Sequence, residues 1–575
     1  MRDRYDLIVI GSGIAGSTLA LALSRIGCNT LVVERGSHPR FAIGESTIPS
    51  TTYGFRYLAR KYGIPELERV IHYTGLREAG LTGYPKRHFW FGWHHPHQEL
   101  AAEQQMAFET FPLPRGPDVH MLRADVDAYL ASTFPDYGVD YSDRTTLTDF
   151  EHGPNGVRTL LATPNGEREV RARLVVDAGG HGSFLAQRFG LREDPPNLAT
   201  DSRSIFGHVQ RTRALDRVLG ENPFRHNREA GTVHHCFDGG WVWVIPFDKD
   251  LVSVGFMLHP ERFPYSENLS AEAEIDEILS RFPTIGAHLG SMIPVRPWIR
   301  TGRVQFRTKA IAGDGFVLTP HAAAFVEPLF STGLLLTQGF ILRLLPLVGL
   351  ALKDGDFSKQ RFEVLQKPFF RELAMIDLVV SGMVASFRDF EVFKQYWRVW
   401  IHATSLQYLG LIAGNPEDFS GCALAYGAAF SDWEKTLRAM HALVGRADLP
   451  HTEVAMGLKA IMDRTPHPFR ISRYGLRAGT AFQLHPDMDL ARQFFWGLGM
   501  LFRSELRGEP GRVGRFLRYA AGDVGQRIAF AARYLRSKTI GGSECRHIDA
   551  LRAISKKTRG ATGLANIPKS EHLAQ

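Results

Sequence analysis

Residues 5–34 read YDLIVIGSGIAGSTLALALSRIGCNTLVVE, and this stretch decides the fold. An apolar run ends at Ile10, a glycine-rich turn follows, and residues 17–27 carry apolar side chains at helical spacing. A second apolar run, residues 30–33, ends on Glu34. The order strand, glycine turn, helix, strand and acid is the complete fingerprint of a dinucleotide-binding βαβ unit.

The glycine turn and the acid each have a physical task. Gly11 permits a tight turn, Gly13 lets a pyrophosphate approach the backbone, and Gly16 lets the helix pack close to the strand. The N–H groups at the helix start attract phosphates, and Glu34 is placed to accept hydrogen bonds from a ribose. The fingerprint does not separate FAD from NAD, and a glycine turn without a ligand is the structural alternative. The residues of this unit predicted to hold the cofactor are Gly11, Gly13, Ile14, Ala15, Gly16, Glu34 and Arg35.

Length and composition exclude several classes of protein. A chain of 575 residues needs two or three domains, and 44% hydrophobic with 22% charged residues is typical of a soluble globular protein. No apolar run is expected to reach transmembrane length, since residues 341–352 are interrupted by Arg343 and Pro346. The start on a strand predicts no signal peptide, and four scattered cysteines predict a reducing cytoplasm rather than a disulfide framework or a metal site.

The formal net charge is +8. A solvated basic surface is the ordinary explanation of this charge, and an acidic partner such as a carrier protein, an anionic membrane or an anionic substrate is the more specific one. Because the basic residues are dispersed, the sequence argues against nucleic acid as a partner.

Residues 39–46, PRFAIGES, supply the first family resemblance. Together with the opening fingerprint they are similar to the start of the flavin-dependent halogenases, which share the para-hydroxybenzoate-hydroxylase-type FAD fold. The resemblance implies FAD rather than NAD as the bound nucleotide. It also implies that Gly44, Glu45 and Ser46 lie along the cofactor, although a helix cap explains these residue types as well.

Two further segments resemble the FAD-binding part of the family. Arg123 matches an arginine that lies near the flavin, and Asp127 follows it four residues later. An ion pair on a surface helix explains the same spacing. Residues 174–183, LVVDAGGHGS, predict a buried strand that ends in Asp177, and they resemble the segment that returns to the adenosine side of FAD.

The most specific match is residues 241–246, WVWVIP. In a strand, Trp241 and Trp243 lie on the same face and form a bulky wall. The resemblance implies that this wall separates flavin from substrate and blocks the monooxygenase reaction. A core strand with large aromatic residues is the alternative.

Residues 327–334, EPLFSTGL, resemble the PLxSxG turn of the family. The resemblance implies a catalytic role for Ser331 and a halide held by the backbone N–H groups of Thr332 and Gly333, with Gly333 also beside the flavin. N–H groups at a helix start bind anions without a cation, so the physics agrees. Phe330 replaces the glutamate of the tryptophan halogenases, which resembles the branch that acts on phenolic, pyrrolic or carrier-bound substrates.

One segment departs from the family. Where the family has Gly-Asp, with the acid bonded to the ribityl chain of the flavin, this chain has Pro320-His321. His321 is then the residue left to donate a hydrogen bond to a ribityl hydroxyl.

The lysine that delivers the halogen is less clearly placed. In the family it precedes an aromatic strand that ends in glycine, and alignment on residues 89–92 puts it at residues 83–84, which hold no lysine. Lys86 is the nearest candidate, and Arg77 is a poor substitute because a guanidinium stays charged. If one strand held both Lys86 and Phe89, the two side chains would face opposite sides.

Residues 89–97, FWFGWHHPH, combine four aromatic residues with three histidines. His94, His95 and His97 lack the spacing of a standard metal site, so no metal is predicted. A strand that lines a flat aromatic substrate pocket is the favoured interpretation.

These patterns predict an α/β protein with a Rossmann-like FAD-binding domain, an interleaved β-sheet substrate domain and a helical C-terminal domain. The FAD-binding domain is predicted to comprise residues 1–80, 115–195 and 300–345, the substrate domain 80–115 and 196–300, and the helical domain 346–575. Helices are predicted at 359–378, 389–408, 423–446, 451–463, 488–507 and 511–536.

The resemblance implies an FAD-dependent oxidoreductase of secondary metabolite biosynthesis. It would use FAD reduced by a separate flavin reductase, oxygen, and chloride or bromide to halogenate an electron-rich aromatic or carrier-bound intermediate. A halide-independent flavin monooxygenase or dehydrogenase and a non-catalytic flavoprotein subunit remain open, whereas an NAD-only dehydrogenase fits the later motifs poorly. The predicted catalytic residues are Lys86, Trp241, Trp243 and Ser331.

Overall fold

The computed structural model describes residues 1–109, 118–248, 250–413, 431–465 and 482–484, which form a mixed α/β protein. Its strands are β1 Leu7–Ile10, β2 Thr30–Val33, β3 Gly83–Lys86, β4 His88–His94, β5 Gln105–Glu109, β6 Asp118–Met121, β7 Asp140–Ser142, β8 Thr146–Gly153, β9 Gly156–Thr163, β10 Gly166–Ala172, β11 Leu174–Asp177, β12 Arg203–Gln210, β13 Thr232–Phe237, β14 Gly240–Pro246, β15 Val252–Leu258, β16 Ile293–Pro294, β17 Ile299–Arg303, β18 Phe306–Arg307, β19 Ala312–Gly313, β20 Phe316–Leu318, β21 Ala324–Phe325 and β22 Phe482–Leu484. Its helices are α1 Ile14–Ser24, α2 Pro49–Tyr62, α3 Pro65–Arg69, α4 Tyr73–Glu78, α5 Arg123–Ser132, α6 Phe184–Arg188, α7 Leu215–Leu219, α8 Ala271–Arg281, α9 Pro283–Leu289, α10 Pro320–Ala323, α11 Gly333–Asp354, α12 Lys359–Glu363, α13 Gln366–Ser386, α14 Phe390–Ala413, α15 Ser431–Val444 and α16 His451–Arg464.

The opening strand lies inside a six-stranded sheet of order β19-β20-β11-β1-β2-β7. All neighbours from β20 to β7 pair in parallel, and β19 is antiparallel at the edge. β1 and β11 are apolar and buried, as expected for central parallel strands. The helix that follows β1 begins at Ile14 rather than at residue 17, because the chain is already helical directly after Gly13. The carboxyl ends of β1, β2 and β11 therefore meet at the start of α1, where ligands bind in such sheets.

A second, nine-stranded sheet has the order β16-β12-β15-β14-β13-β4-β5-β22, with β17 also paired to β12. β4 and β5 join strands that follow residue 200, and the parallel pairing of β4 with β13 brings these distant segments together. β22 pairs with β5 although it lies in the region predicted to be wholly helical. Its three residues are too few to show an alternating pattern in the sequence.

The two faces of β4 enter different cores. Phe89, Phe91 and Trp93 lie in the core shared with α13 and α14, whereas Trp90 lies in a separate core with α8 and α9. Alternation along the strand causes this division.

The helical region after residue 346 follows the predictions in part. The predicted helix 359–378 is interrupted, since α12 ends at Glu363 and α13 begins at Gln366. α14 and α16 lie within a few residues of the expected bounds, and α15 is described from Ser431 onward. The helices predicted at 488–507 and 511–536 lie outside the described residues.

The expectation that no segment reaches transmembrane length is wrong for one helix. Residues 329–354 are long and apolar enough to cross a membrane, despite Arg343 and Pro346. However, 78% of the most apolar window is buried inside the protein. Arg343 is neutralised within this core, because its guanidinium donates to both carboxylate oxygens of Glu372. The helix is therefore packed as a core helix.

A chain of buried histidines crosses the α9 side of the second sheet. His94 Nε2 lies 2.9 Å from His235 Nδ1, and His235 Nε2 lies 2.9 Å from His288 Nδ1. His288 Nε2 lies 3.3 Å from Glu229 Oε1, which ends the chain. Burial lowers the pKa of His94 to about 3 and the pKa of His235 well below its usual value. Within the described part of the chain, no group of three or more His, Cys, Asp or Glu side chains could hold a metal ion.

We expect the free energy of unfolding to fall as the pH drops below about 6.5, where unfolded histidines take up protons. Because the folded pKa values of His94 and His235 are depressed, these rings stay neutral in the native protein, and stability present above that pH is lost between about pH 6.5 and 3. The His94 ring contributes about 1.4 kcal/mol of this loss by pH 5.5, and the His235 ring adds to it in the same direction. Thermal unfolding at pH 8 and at pH 5.5 measures this loss of stability. The loss between the two pH values should be smaller for His94→Gln than for wild type, and equal losses would contradict the prediction.

Candidate active site

The tight turn after β1 forms the first part of the site. Gly11 adopts φ +95°, and a Cβ there would stand 2.8 Å from the carbonyl oxygen of Ala178. A Cβ on Gly16 would overlap the carbonyl oxygen of Gly11, so both positions require glycine. No side chain caps α1, whose first turn contains Ile14 and Ala15 and carries no acid. Its N-terminal N–H groups and dipole suit a phosphate.

Charged side chains converge on this turn. A Cβ on Gly13 would lie 3.3 Å from Arg40 Nη2, 3.6 Å from Asp127 and 3.8 Å from Arg123. Arg123 donates to both carboxylate oxygens of Asp127 at 2.9 Å, and it also donates to the carbonyl of Gly44 at 3.3 Å. Their side chains are only 9% and 0% exposed, so the interpretation as a surface ion pair is wrong. The buried guanidinium of Arg123 and the partly exposed guanidinium of Arg40 thus lie where a pyrophosphate would pass.

Glu34 directly follows β2 on the same side of the sheet. Its buried carboxylate accepts hydrogen bonds from the N–H groups of Ser12 and Gly36, both at 3.0 Å, and pairs with Arg40 at 3.1 Å. Burial acts to raise the pKa of Glu34, but these donors outweigh it and hold the pKa below its usual value. Arg35 is exposed beside it. Glu34 is therefore an ionised acceptor at the position predicted for a ribose.

Asp177 uses its carboxylate within its own loop. It accepts hydrogen bonds from Gly179 N–H at 2.8 Å, Ser183 Oγ at 2.7 Å and Leu185 N–H at 3.0 Å. These contacts order the loop that lies against Gly11. Its cofactor role stays a prediction, and the geometry favours an action through the loop backbone.

The loop that contains Gly44, Glu45 and Ser46 divides between the two sheets. Gly44, at φ +90°, lies against Arg123 on the cofactor side. Glu45 Oε1 instead lies 2.6 Å from His208 Nε2 on β12. Ser46 Oγ lies 3.2 Å from Thr232 Oγ1 on β13. Two side chains predicted to line the cofactor therefore point toward the second sheet.

Lys86 lies at the centre of that side. Its side chain is completely buried, and Nζ donates to Ser46 Oγ at 2.8 Å and to the carbonyl of Thr47 at 3.0 Å. Nζ also lies 3.6 Å from the centre of the Phe89 ring. The expectation that Lys86 and Phe89 face opposite sides is wrong, because β3 ends at Lys86, β4 begins at His88 and the chain turns between them.

The environment of Lys86 favours a neutral amine. Burial lowers its pKa, and Asp118, its direct partner across the β3–β6 ribbon, acts to raise it. Burial raises the pKa of Asp118 in turn, while a hydrogen bond from Thr52 at 2.7 Å lowers it. Both groups are thus shifted toward neutrality, as expected for an ion pair away from water.

The two tryptophans form a wall on β14. Their ring centres are 5.9 Å apart, and Trp243 Nε1 donates to Ser253 Oγ at 3.2 Å. Trp241 Nε1 donates to Glu327 Oε1 at 3.1 Å. Glu327 was missed by the sequence analysis, although an acid at the start of an apolar turn was a visible signal. Burial raises the pKa of Glu327 to about 7, and its Oε2 has no hydrogen-bond partner among the described residues.

The turn before α11 is strained and then opens into an uncapped helix. Phe330 and Ser331 adopt φ +71° and +58°, a conformation that costs about 1–3 kcal/mol per non-glycine residue. Stacking of Phe330 on Trp400, with ring centres 4.3 Å apart, holds the turn in place. Thr332 and Gly333 follow, and no side chain caps the helix that begins there.

His321 lies against this helix start. Its Nδ1 is 3.2 Å from Thr337 Oγ1, and its Nε2 would be 2.6 Å from a Cβ on Gly333. Burial and, to a lesser extent, the charge of Arg123 together lower its pKa to about 4, so the ring is neutral. Pro320 occupies the first turn of α10, where no N–H is needed. A neutral donor thus replaces the acid of the family pattern.

Aromatic contacts connect the tryptophan wall to Lys86. The rings of Trp241 and His234 are 5.6 Å apart, and those of His234 and Phe91 are 4.4 Å apart. Trp400 of α14 lies 5.7 Å from Phe91 and 5.3 Å from Phe89, the ring below Lys86. The C-terminal helices therefore close the substrate side with aromatic surface.

The fold and these groups define a dinucleotide-binding α/β protein: the turn glycine Gly13 and the loop glycine Gly44 lie beside guanidinium groups of Arg40 and Arg123. A family model described as tryptophan halogenase matches residues 114–393, and one described as an NAD(P)-binding Rossmann-like domain matches residues 9–73.

Curated relatives and solved structures give the same result. Monodechloroaminopyrrolnitrin halogenase PrnC of Pseudomonas fluorescens is 38% identical over 418 residues, 71% of this chain and 73% of that protein. Tetracycline 7-halogenase of Kitasatospora aureofaciens is 32% identical over 412 residues, 70% of this chain and 73% of that protein. The crystal structure of halogenase PltM with phloroglucinol and FAD has a TM-score of 0.76 at 26% identity, over 83% of this chain and 99% of that one.

This chain belongs to the flavin-dependent halogenase family. Its cofactor is accordingly FAD and its co-substrate a halide. The alternatives of an NAD-only dehydrogenase and a non-catalytic scaffold lose their support.

We expect Gly333→Ala to raise the KM for bromide about tenfold, because the added methyl would stand 2.6 Å from His321 Nε2 at the helix start. Gly349→Ala on the same helix is the matched control, since a Cβ there meets nothing within 4 Å. Bromide titration of the steady-state rate, with FAD affinity measured in parallel, checks this. Equal bromide KM values in both variants would mean that the halide does not bind at this turn.

Proposed function

We propose that this protein halogenates a free, electron-rich aromatic compound through the amine of Lys86. The observation that carries the proposal is a completely buried amine, with its pKa lowered by burial, held over the ring of Phe89 beside a cluster of aromatic side chains. Such an amine is nucleophilic near neutral pH, whereas an exposed lysine is protonated there.

The site has a cofactor side and a substrate side, and this supports a role for each group of residues. When bound, reduced FAD would supply hypohalous acid from oxygen and a halide. The turn at Gly11–Gly16, Glu34 and Arg123 hold the cofactor, and the N–H groups of Thr332 and Gly333 hold the halide. The Trp241–Trp243 wall, fixed by Glu327, keeps the substrate from the flavin.

The transfer through Lys86 balances in two steps. The neutral amine attacks the halogen of hypohalous acid, a nitrogen–halogen bond forms, the halogen–oxygen bond breaks, and one amine proton leaves with the hydroxide as water. A ring carbon of the substrate then attacks the halogen, the nitrogen–halogen bond breaks, and the proton lost by that carbon restores the amine. Phe89, Phe91 and Trp400 make the surroundings of the amine aromatic, which suits an aromatic substrate.

The relatives favour a small aromatic substrate. PrnC is named for an aminopyrrolnitrin compound, and PltM is solved with phloroglucinol. A carrier-bound substrate is the second candidate, supported by the +8 charge and by a pyrrole-2-carbonyl-carrier chlorinase that is 27% identical. A separate flavin reductase would supply reduced FAD, and the buried, unbridged Cys28 and Cys236 fit the cytoplasm.

We expect Lys86→Ala to lower the halogenation rate at least about 1000-fold while FAD affinity stays unchanged. The variant removes the nucleophile but leaves the residues proposed to bind FAD in place. Arg77→Ala is the matched control. Arg77 was the alternative candidate in the sequence, and its side chain is 63% exposed and paired with Asp248. Product mass with and without bromide, given reduced FAD and a phenol, is the measurement.

Two outcomes would contradict the proposal. Normal halogenation by Lys86→Ala would mean that Lys86 has no role in halogen transfer. Oxidised product that forms equally well without halide would favour the monooxygenase alternative.

A further inference from the structure

Glu327 carries a buried carboxyl group that the roles assigned above use only as a support for Trp241. The residue is 4% exposed, and its Oε1 accepts hydrogen bonds from Trp241 Nε1 at 3.1 Å and from Ser202 Oγ at 3.5 Å. The Ser202 proton is directed to Glu327 because Gln305 donates to Ser202 Oγ at 2.8 Å. Among the described residues Oε2 has no partner, and no basic side chain offsets the charge of the carboxylate.

This environment favours the neutral acid. A carboxylate away from water, with two neutral donors and no cation, is less stable than its protonated form. Burial therefore raises the pKa of Glu327 to about 7, although the hydrogen bonds from Trp241 and Ser202 act in the opposite direction. The neutral and the charged form of Glu327 are thus both populated near neutral pH.

The carboxyl group lies at the start of the turn proposed for the halide. Directly after Glu327, the carbonyl of Pro328 accepts a hydrogen bond from the N–H of Ser331 at 3.1 Å, and Thr332 and Gly333 come next. A turn closed in this way brings its ends within about 7 Å of each other. Glu327 and the N–H groups proposed to hold the halide are therefore separated by on the order of 10 Å.

The turn offers little screening between the two positions. Its apolar residues Leu329 and Phe330 are buried, and Phe330 packs on Trp400. Two like unit charges about 10 Å apart in such surroundings repel each other enough to lower the affinity for one of them about tenfold. A carboxylate at Glu327 thus opposes a halide at this turn, whereas the neutral acid does not.

We propose that the protonation state of Glu327 controls the halide affinity of the turn, with the neutral carboxyl group binding the halide about tenfold more tightly than the carboxylate. The binding of a halide and the binding of a proton to Glu327 are then coupled, and a bound halide stabilises the protonated acid by the same factor. Halide binding takes up protons near neutral pH. This inference rests on the halide turn of the proposed function.

The titratable groups that face Glu327 from β13 stay neutral. Cys236 interacts with Glu327, and burial raises the pKa of its thiol well above the usual value. His234 stacks on Trp241 with the ring centres 5.6 Å apart, and burial lowers its pKa to about 3. From β14 and from the residue before β12, the neutral donors Trp241 and Ser202 face the carboxyl group.

Other groups act on the halide turn itself. His321 of α10, beside Gly333, has a pKa of about 4 and is neutral, and Arg123 keeps its charge throughout. Lys86 and Asp118 are both shifted toward neutrality, so they titrate in the same pH range as Glu327. An experiment on halide binding must therefore distinguish Glu327 from Lys86.

The coupling fixes the sign of the pH dependence. Below about pH 6 Glu327 is neutral and the bromide affinity is highest, and the affinity falls as the pH rises through 7, with about a tenfold loss by pH 9. At pH 7.5 each bromide should bind together with about half a proton. The measurement is proton uptake, followed with a pH indicator when bromide is added to the FAD-loaded protein in weakly buffered solution.

Three variants identify the group that takes up the proton. Glu327→Gln keeps a neutral side chain of similar size, so it should show no uptake and should bind bromide at every pH as tightly as wild type does at low pH. Lys86→Ala removes the other titrating group and should keep the uptake. Asp354→Asn is the matched control and should behave as wild type, because it removes an exposed carboxylate at the far end of the same helix, roughly 30 Å away.

The outcomes separate this inference from the proposed function. Proton uptake that persists in Glu327→Gln, or a wild-type bromide affinity that stays constant between pH 6 and pH 9, would overturn the inference while the role of Lys86 stands. The wild-type measurement decides the question even if Glu327→Gln does not fold, which its melting temperature would show. If wild type forms no halogenated product, the proposed function itself fails.

Discussion

Burial of the Lys86 amine is the constraint on which the arrangement of the site depends. An amine taken out of water costs several kcal/mol unless its protons are bonded. Ser46 and Thr47 supply those bonds from the loop that follows the cofactor turn, and Asp118 supplies a carboxylate from the opposite strand of the ribbon. The groups that surround this one amine thus come from the loop after the six-stranded sheet's β2, from the β3–β6 ribbon and from the nine-stranded sheet.

The same constraint explains why the helices after residue 346 belong to the site. A neutral lysine needs water kept away from it, and Trp400 contributes to this by packing on Phe89, Phe91 and Phe330. The stack on Phe330 also holds two left-handed residues immediately before the helix start proposed for the halide. Closure of the substrate side and geometry of the halide turn are therefore mechanically linked.

Local sequence patterns predicted the short elements around the glycine turn. They could not predict contacts between residues that are far apart in the chain. The glycine turn, Glu34 and the tryptophan strand follow from spacing alone, because each is a property of one short element. The place of Lys86 depends on a break between β3 and β4 that no hydrophobic period marks. Ser46, Thr232 and His120 lie up to 186 residues apart in the chain, so their line of hydrogen bonds was invisible in the sequence. The contact of Glu45 with His208 on β12 was hidden for the same reason.

The most direct test of the central claim is whether Lys86 itself carries the halogen. In a single turnover with reduced FAD, oxygen and chloride but no aromatic substrate, the protein is desalted and titrated with iodide. The account predicts about one retained oxidising equivalent per protein, which chlorinates a phenol added later and is absent from Lys86→Ala. A desalted wild-type protein with no retained oxidant, despite full chlorination when the phenol is present from the start, would contradict it.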